Sequence, residues 1–140
     1  MAAYNKFNQF TKDLIDAKHN FGSHTFKIML TNTAPTAANQ VKADITEIAA
    51  GNGYTAGGTA STITDSTASG AAKVSGTNVV FSASGGTIGP FRYAVFYNDT
   101  QTSPVKPLVS WWDYGSSITL NDTETLTVSF DATNGIFQIS

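Results

Sequence analysis

The sequence predicts a mostly β fold: a single jelly-roll-like sandwich or partly open barrel of about seven strands, with an N-terminal amphipathic helix. Three observations predict it. Apolar residues alternate with period two in several separate stretches. Short runs rich in Val, Ile, Phe and Thr are punctuated by Gly, Asn, Pro and Ser turns. A helical period occurs clearly only near the start. With 140 residues, the chain reads as one domain able to bury a core without staples. It divides into a helical arm over 1–22 and a β-sandwich domain over 23–140.

The elements follow in order. Over residues 4–18, Phe7, Phe10, Leu14 and Ala17 fall on one helical face, with Lys12, Asp13, Asp16 and Lys18 opposite. Asn20 and Gly22 are the stop signals. A helix this short is marginal alone and needs a surface to lie on. Phe26, Ile28 and Leu30 then alternate as a strand, and 32–40 is a loop around Pro35. Residues 41–48 fit a short helix as well as an extended edge. Residues 51–86 are rich in Gly, Ser, Thr and Ala and read as long loops between short strands, the clearest strand covering 78–83. Tyr54 and Ile63 are the other anchors there.

Residues 91–97 carry large apolar side chains on both faces: Phe91, Tyr93, Val95 and Tyr97 on one, Ala94 and Phe96 on the other. Such a strand is central, or joins the core to an interface. Further strands are predicted at 107–114, at 125–131 with Leu126, Val128 and Phe130 inward, and at 136–139. Asn134-Gly135 is a hairpin turn signal. Trp111 and Trp112 are neighbours on a strand, so they face opposite ways.

Composition narrows the function. There is no cysteine, hence no disulfide framework and no thiolate metal site. A formal net charge of -2 argues against nucleic acid or an anionic membrane as partner. No apolar run approaches the roughly 20 residues that span a bilayer. The N-terminus lacks a basic start followed by an apolar block, so no signal peptide is expected.

The residues that carry chemistry read as structural. His19 and His24 flank the first turn without a nucleophile and an orienter in reach, and capping or solvent exposure is the expectation. Asp44 with Glu47, and Asp122 with Glu124, are paired carboxylates outside any apolar run that would raise a pKa. The turn at 121–124 is oxygen-rich but lacks the spacing of a calcium loop. Gly51-Asn52-Gly53-Tyr54 and Gly57-Gly58 neither follow a strand nor open a helix, which excludes phosphate-loop readings; they read as tight turns. Asn98-Asp99-Thr100 and Asn121-Asp122-Thr123 match the glycosylation pattern at expected turns. No catalytic, cofactor or metal residues are assigned, and the protein reads as a non-enzyme. The expected contact residues are Phe7, Phe10, Leu14, Tyr93, Phe96, Tyr97, Trp111 and Trp112. They would serve a homodimer or trimer, with the helix docking on a neighbour.

Three segments carry a resemblance. They are HNFGSHTFKIMLTNTAPTA after the amphipathic start, GNGYTAGG at 51–58, and FRYAVFYNDT followed by PLVSWWDYGSSITL and a final VSFDATNGIFQI. In this order the chain resembles a family of small virion structural proteins of tailed bacteriophages and prophages. The resemblance implies a role class and no catalytic residues. The first role is a decoration or cement protein, made in the host cytoplasm and bound on the outer capsid surface, with the major capsid protein as partner. The second is a tail component or receptor-binding accessory that holds a glycan. A hydrolase with a dispersed carboxylate pair is the remaining alternative, and it would need an enclosed acidic pocket.

Overall fold

The computed structural model describes residues 3–140. It is 49% strand and 8% helix, sandwich-like and without a closed barrel, as the alternation predicts. The order is β1 (Ala3–Lys6), α1 (Asn8–Ile15), β2 (Phe26–Thr31), a 3-10 turn at Lys42–Asp44, β3 (Thr59–Ser61), β4 (Ile63–Ala68), β5 (Ala71–Gly76), β6 (Val79–Ser82), β7 (Ile88–Asn98), β8 (Leu108–Leu120), β9 (Thr125–Val128) and β10 (Phe137–Ile139). A five-stranded antiparallel sheet runs β1-β8-β7-β2-β3. A three-stranded sheet, β10-β5-β4, and a β6-β9 pair complete the architecture.

The main core lies against one face of the five-stranded sheet. Phe26, Ile28, Leu30, Phe91 and Phe96 meet Val79, Phe81 and Val128 from the β6-β9 pair there. A second, smaller core covers the opposite face, built from Phe7, Met29, Val95, Tyr97 and Leu108, with Ile45 and Trp111 packed on it. Strand β7 is therefore central, flanked by β8 and β2 and buried on both sides. Register shifts between Ile88/Phe91 and Phe91/Tyr93 bring Phe91 to the same core as Ala94 and Phe96, where simple alternation puts it opposite them.

The N-terminal arm is the main correction. Residues 3–6 are a strand in the main sheet, with Tyr4 opposite Trp112 and Lys6 opposite Ser110. The helix begins only at Asn8 and ends with Ala17 at φ 58°, where the Lys18 N–H bonds the Asp13 carbonyl at 2.8 Å. That left-handed residue stops the helix, earlier than Asn20 and Gly22 do. Met1 and Ala2 of the expected arm lie outside the described residues. Phe7 and Phe10 are buried, and Leu14 packs on the main core. The chain's own fold thus covers Phe7 and Phe10, while Leu14 is half-buried and Ala17 exposed.

Two further readings change. Asn134-Gly135 turns tightly, with Gly135 at φ 72°, but β9 pairs with β6 and β10 with β5, so it joins no hairpin. Residues 63–76 form the β4–β5 hairpin where loops were expected.

Candidate functional site

The distinctive GNGYTAGG segment is a brace. Asn52 and Gly53 both take positive φ, 55° and 100°, and reverse the chain. A Cβ on Gly53 would sit 2.1 Å from the Ser82 carbonyl oxygen, and one on Gly58 would sit 1.8 Å from that of Ile28. Only glycine lets the backbone pass so close. The turn delivers the Tyr54 ring into the main core, where its hydroxyl accepts the Leu30 N–H at 3.0 Å and donates to Glu47 Oε1 at 2.7 Å. Glu47 Oε1 also accepts the Gly57 N–H at 2.6 Å, and the Tyr97 hydroxyl donates to the Gly57 carbonyl at 2.7 Å. Burial pushes both phenols well above their usual range. These hydroxyls stay protonated and act as fixed donors and acceptors.

The histidines converge on one amide. Asn98 Nδ2 lies 3.2 Å from His19 Nδ1 and 2.9 Å from His24 Nδ1. His19 is buried among the Phe10, Phe21 and Phe26 rings, which corrects the expectation of an exposed or capping group. Burial first, and the neighbouring His24 second, lower its pKa to about 4. Asn98 itself is enclosed, and its Oδ1 accepts the Thr100 and Gln101 N–H groups. The sequon there is structural.

Asp13, expected on the polar face of the helix, is buried with one oxygen unpartnered among the described residues, whereas Asp113, Asp99, Asp122 and Glu124 are occupied. The Arg92 guanidinium forks onto Asp113 at 2.8 and 3.0 Å and holds its carboxyl below the usual range. Burial works to raise Asp99, yet hydrogen bonds from Lys106 and Lys27 leave it lowered. Asp122 and Glu124 cap the Gly85 and Asn121 N–H groups. Among the described residues no three His, Asp or Glu side chains cluster as metal ligands.

Two cavities open along the β1 edge of the main sheet and share Tyr4 as a wall. The first, about 410 Å³, lies between Tyr4, Trp112 and Tyr114 on the sheet and the segment around Phe130, Asp131 and Asn134. Tyr4 stands across the ladder from Trp112, with ring centroids 5.8 Å apart at 66°. The Phe130 ring is 5.6 Å from Trp112. The second, about 600 Å³, is an apolar groove between β1, the helix residues Phe10, Leu14 and Ile15, and β10. Tyr4, Ile15 and Ile139 on its walls are 40%, 80% and 50% exposed.

Of the expected contact residues, Phe7, Phe10, Tyr93, Phe96 and Tyr97 are buried within the chain, which removes them as a ready adhesive surface. Trp111 packs on the second core and Trp112 on the main one. Of that set, Phe10, Leu14 and Trp112 border these two cavities. Sequence reasoning missed Tyr4, Ile15, Tyr114, Phe130 and Ile139 as wall residues. Ile15 carried a signal, being a large apolar residue next to Leu14 and off the helical stripe. Tyr4 carried none, because its partner strand is a hundred residues away in sequence. No family model matches this chain, and neither a curated protein nor a solved structure matches it.

Proposed function

We propose that the protein is a non-enzymatic virion structural protein, a decoration protein that docks on the outer capsid surface and bridges capsid subunits. The observation that carries this reading is the apolar groove between β1, α1 and β10. It gathers three large exposed apolar side chains on one edge of a small domain, and contiguous apolar surface of that kind marks an interaction site. The other large exposed apolar side chains, Val80 and Val105, are not among the groove's lining residues, and β4 is polar, with residues 64–68 all exposed. The engagement of the buried phenols, His19 and the paired carboxylates in structural contacts supports a role without chemistry. A cement protein needs adhesive area and stability, and many copies acting in parallel turn modest contacts into strong attachment. Self-association as a dimer or trimer would draw on the same groove, since the aromatic strands are already enclosed.

The test is quantitative mass spectrometry of purified particles, with a copy number close to that of the major capsid protein expected. Ile15→Ser combined with Ile139→Ser should leave the protein folded and abolish particle binding. Absence from purified particles would overturn the proposal. A second reading, a tail component that recognises a receptor, is favoured by the aromatic cleft beside Trp112. Gold-labelled antibody on intact particles separates head from tail.

A further inference from the structure

We propose that the cleft lined by Tyr4, Trp112, Tyr114, Phe130, Asp131 and Asn134 is a binding site for a short neutral oligosaccharide. The assignment stands on the cleft alone and holds for a head or a tail protein. Its volume of about 410 Å³ falls within the range of small-ligand pockets. Aromatic rings stand on both walls: Tyr4, Trp112 and Tyr114 on the sheet, and Phe130 opposite. A pyranose presents a flat C–H face ringed by hydroxyls, and it fits rings that combine an apolar body with a polar tip. Trp112 and Tyr114 are half-buried in the cleft lining, and they bring an indole N–H and a phenol hydroxyl to it. Such polar tips suit sugar hydroxyls.

The rim supplies an acceptor. Asp131 takes the Thr133 and Asn134 N–H groups on Oδ1 at 2.7 and 2.9 Å, and the Asn134 side-chain amide on Oδ2 at 3.0 Å. A carboxylate accepts about four hydrogen bonds, so this one is held in place with capacity for one more. Charge narrows the ligand class. The lining contains one carboxylate and no Lys or Arg, which disfavours phosphates, nucleotides and acidic sugars. Trp112 stands mid-strand in β8 with β1 on one side and β7 on the other, so the platform is rigid before any ligand arrives.

The experiment is a titration of the full chain, isotope-labelled for amide and indole NMR, with maltotriose and with tri-N-acetylchitotriose up to about 10 mM. Millimolar affinity is the scale expected of such a shallow site. Shifts should concentrate on Tyr4, the Trp112 indole, Tyr114 and Asn134. Tyr114→Phe removes one polar contact and Asn134→Ala removes the amide that holds Asp131 Oδ2; each should weaken binding about fivefold. Val105→Ser, at an exposed residue outside the linings of the cleft and the groove, should leave affinity unchanged. Asn134 is exposed, so its variant keeps the test valid if Tyr114→Phe folds poorly. No response to either sugar, shifts elsewhere on the protein, or affinity indifferent to both cleft variants would overturn the assignment.

Discussion

Replacing Glu47 with Ala should cost about 3–5 kcal/mol of folding stability, and replacing it with Gln no more than about 2. One carboxylate oxygen of Glu47 accepts the Tyr54 hydroxyl and the Gly57 N–H, while the other meets Lys42 Nζ at 3.1 Å. Tyr54 and Gly57 are buried. Truncation to Ala therefore strands two buried donors, each costing about 1–3 kcal/mol. The Lys42 pair is partly exposed and adds less than about 1 kcal/mol. Gln keeps a carbonyl oxygen for both donors and loses only the charge. Urea unfolding monitored by tryptophan fluorescence gives both midpoints, with an unchanged slope expected. A double-mutant cycle with Tyr54→Phe should return a coupling of about 1–2 kcal/mol. Equal losses for Ala and Gln would show that charge or packing, not acceptor geometry, holds the brace. A loss below about 1 kcal/mol for Ala would refute the reasoning altogether.

Three more outcomes are expected. Burial keeps His19 neutral in the folded chain down to about pH 4, against 6.5 when unfolded. Its contribution is therefore complete above pH 6.5 and is lost as the pH falls toward 4, by up to about 3 kcal/mol; unfolding midpoints across that range check this, and His19→Phe should flatten the slope. On β6, Phe81→Ala should cost about 3–5 kcal/mol, since Phe81 is buried in the main core, whereas Val80→Ala, at an exposed neighbour, should stay within about 0.5. Deleting residues 2–18 should leave the chain unfolded by circular dichroism, because it removes β1 together with the buried Phe7 and Phe10; a folded truncation would restore the idea of a separable arm.

The legible part of the fold was the part with strong alternation. Phe26, Ile28 and Leu30, Val79 and Phe81, and Leu126 and Val128 each point where period two sends them. The two-faced apolar pattern of β7 correctly marked a central strand, but what covers its second face was not readable. That cover comes from Phe7 and Ile45, segments distant in sequence that local pattern cannot bring together. The helical spacing of Phe7 and Phe10 was real, yet Phe7 ends the β1 segment with φ -73° and ψ 140° and turns to the other core. Pairing with β8 outweighed helix propensity over residues 3–6. The β4–β5 hairpin escaped notice because its Thr, Ser and Ala side chains are mostly exposed and have no apolar face to alternate. The cleft was half legible: the Trp pair drew attention to β8, but Tyr4 and Phe130 reach it only through tertiary placement.

That hairpin has a practical meaning. Ser69 and Gly70 at its tip take φ 52° and 82°, a two-residue reversal whose twist suits the strands it joins. Nothing lies within 4 Å of where a Gly70 Cβ would stand, and Ala68 and Ala71 close the ladder behind it. A foreign peptide spliced between Ser69 and Gly70 would project into solvent. The molecule thus offers a natural display position, where an epitope or affinity tag could be presented with little cost to the scaffold beneath.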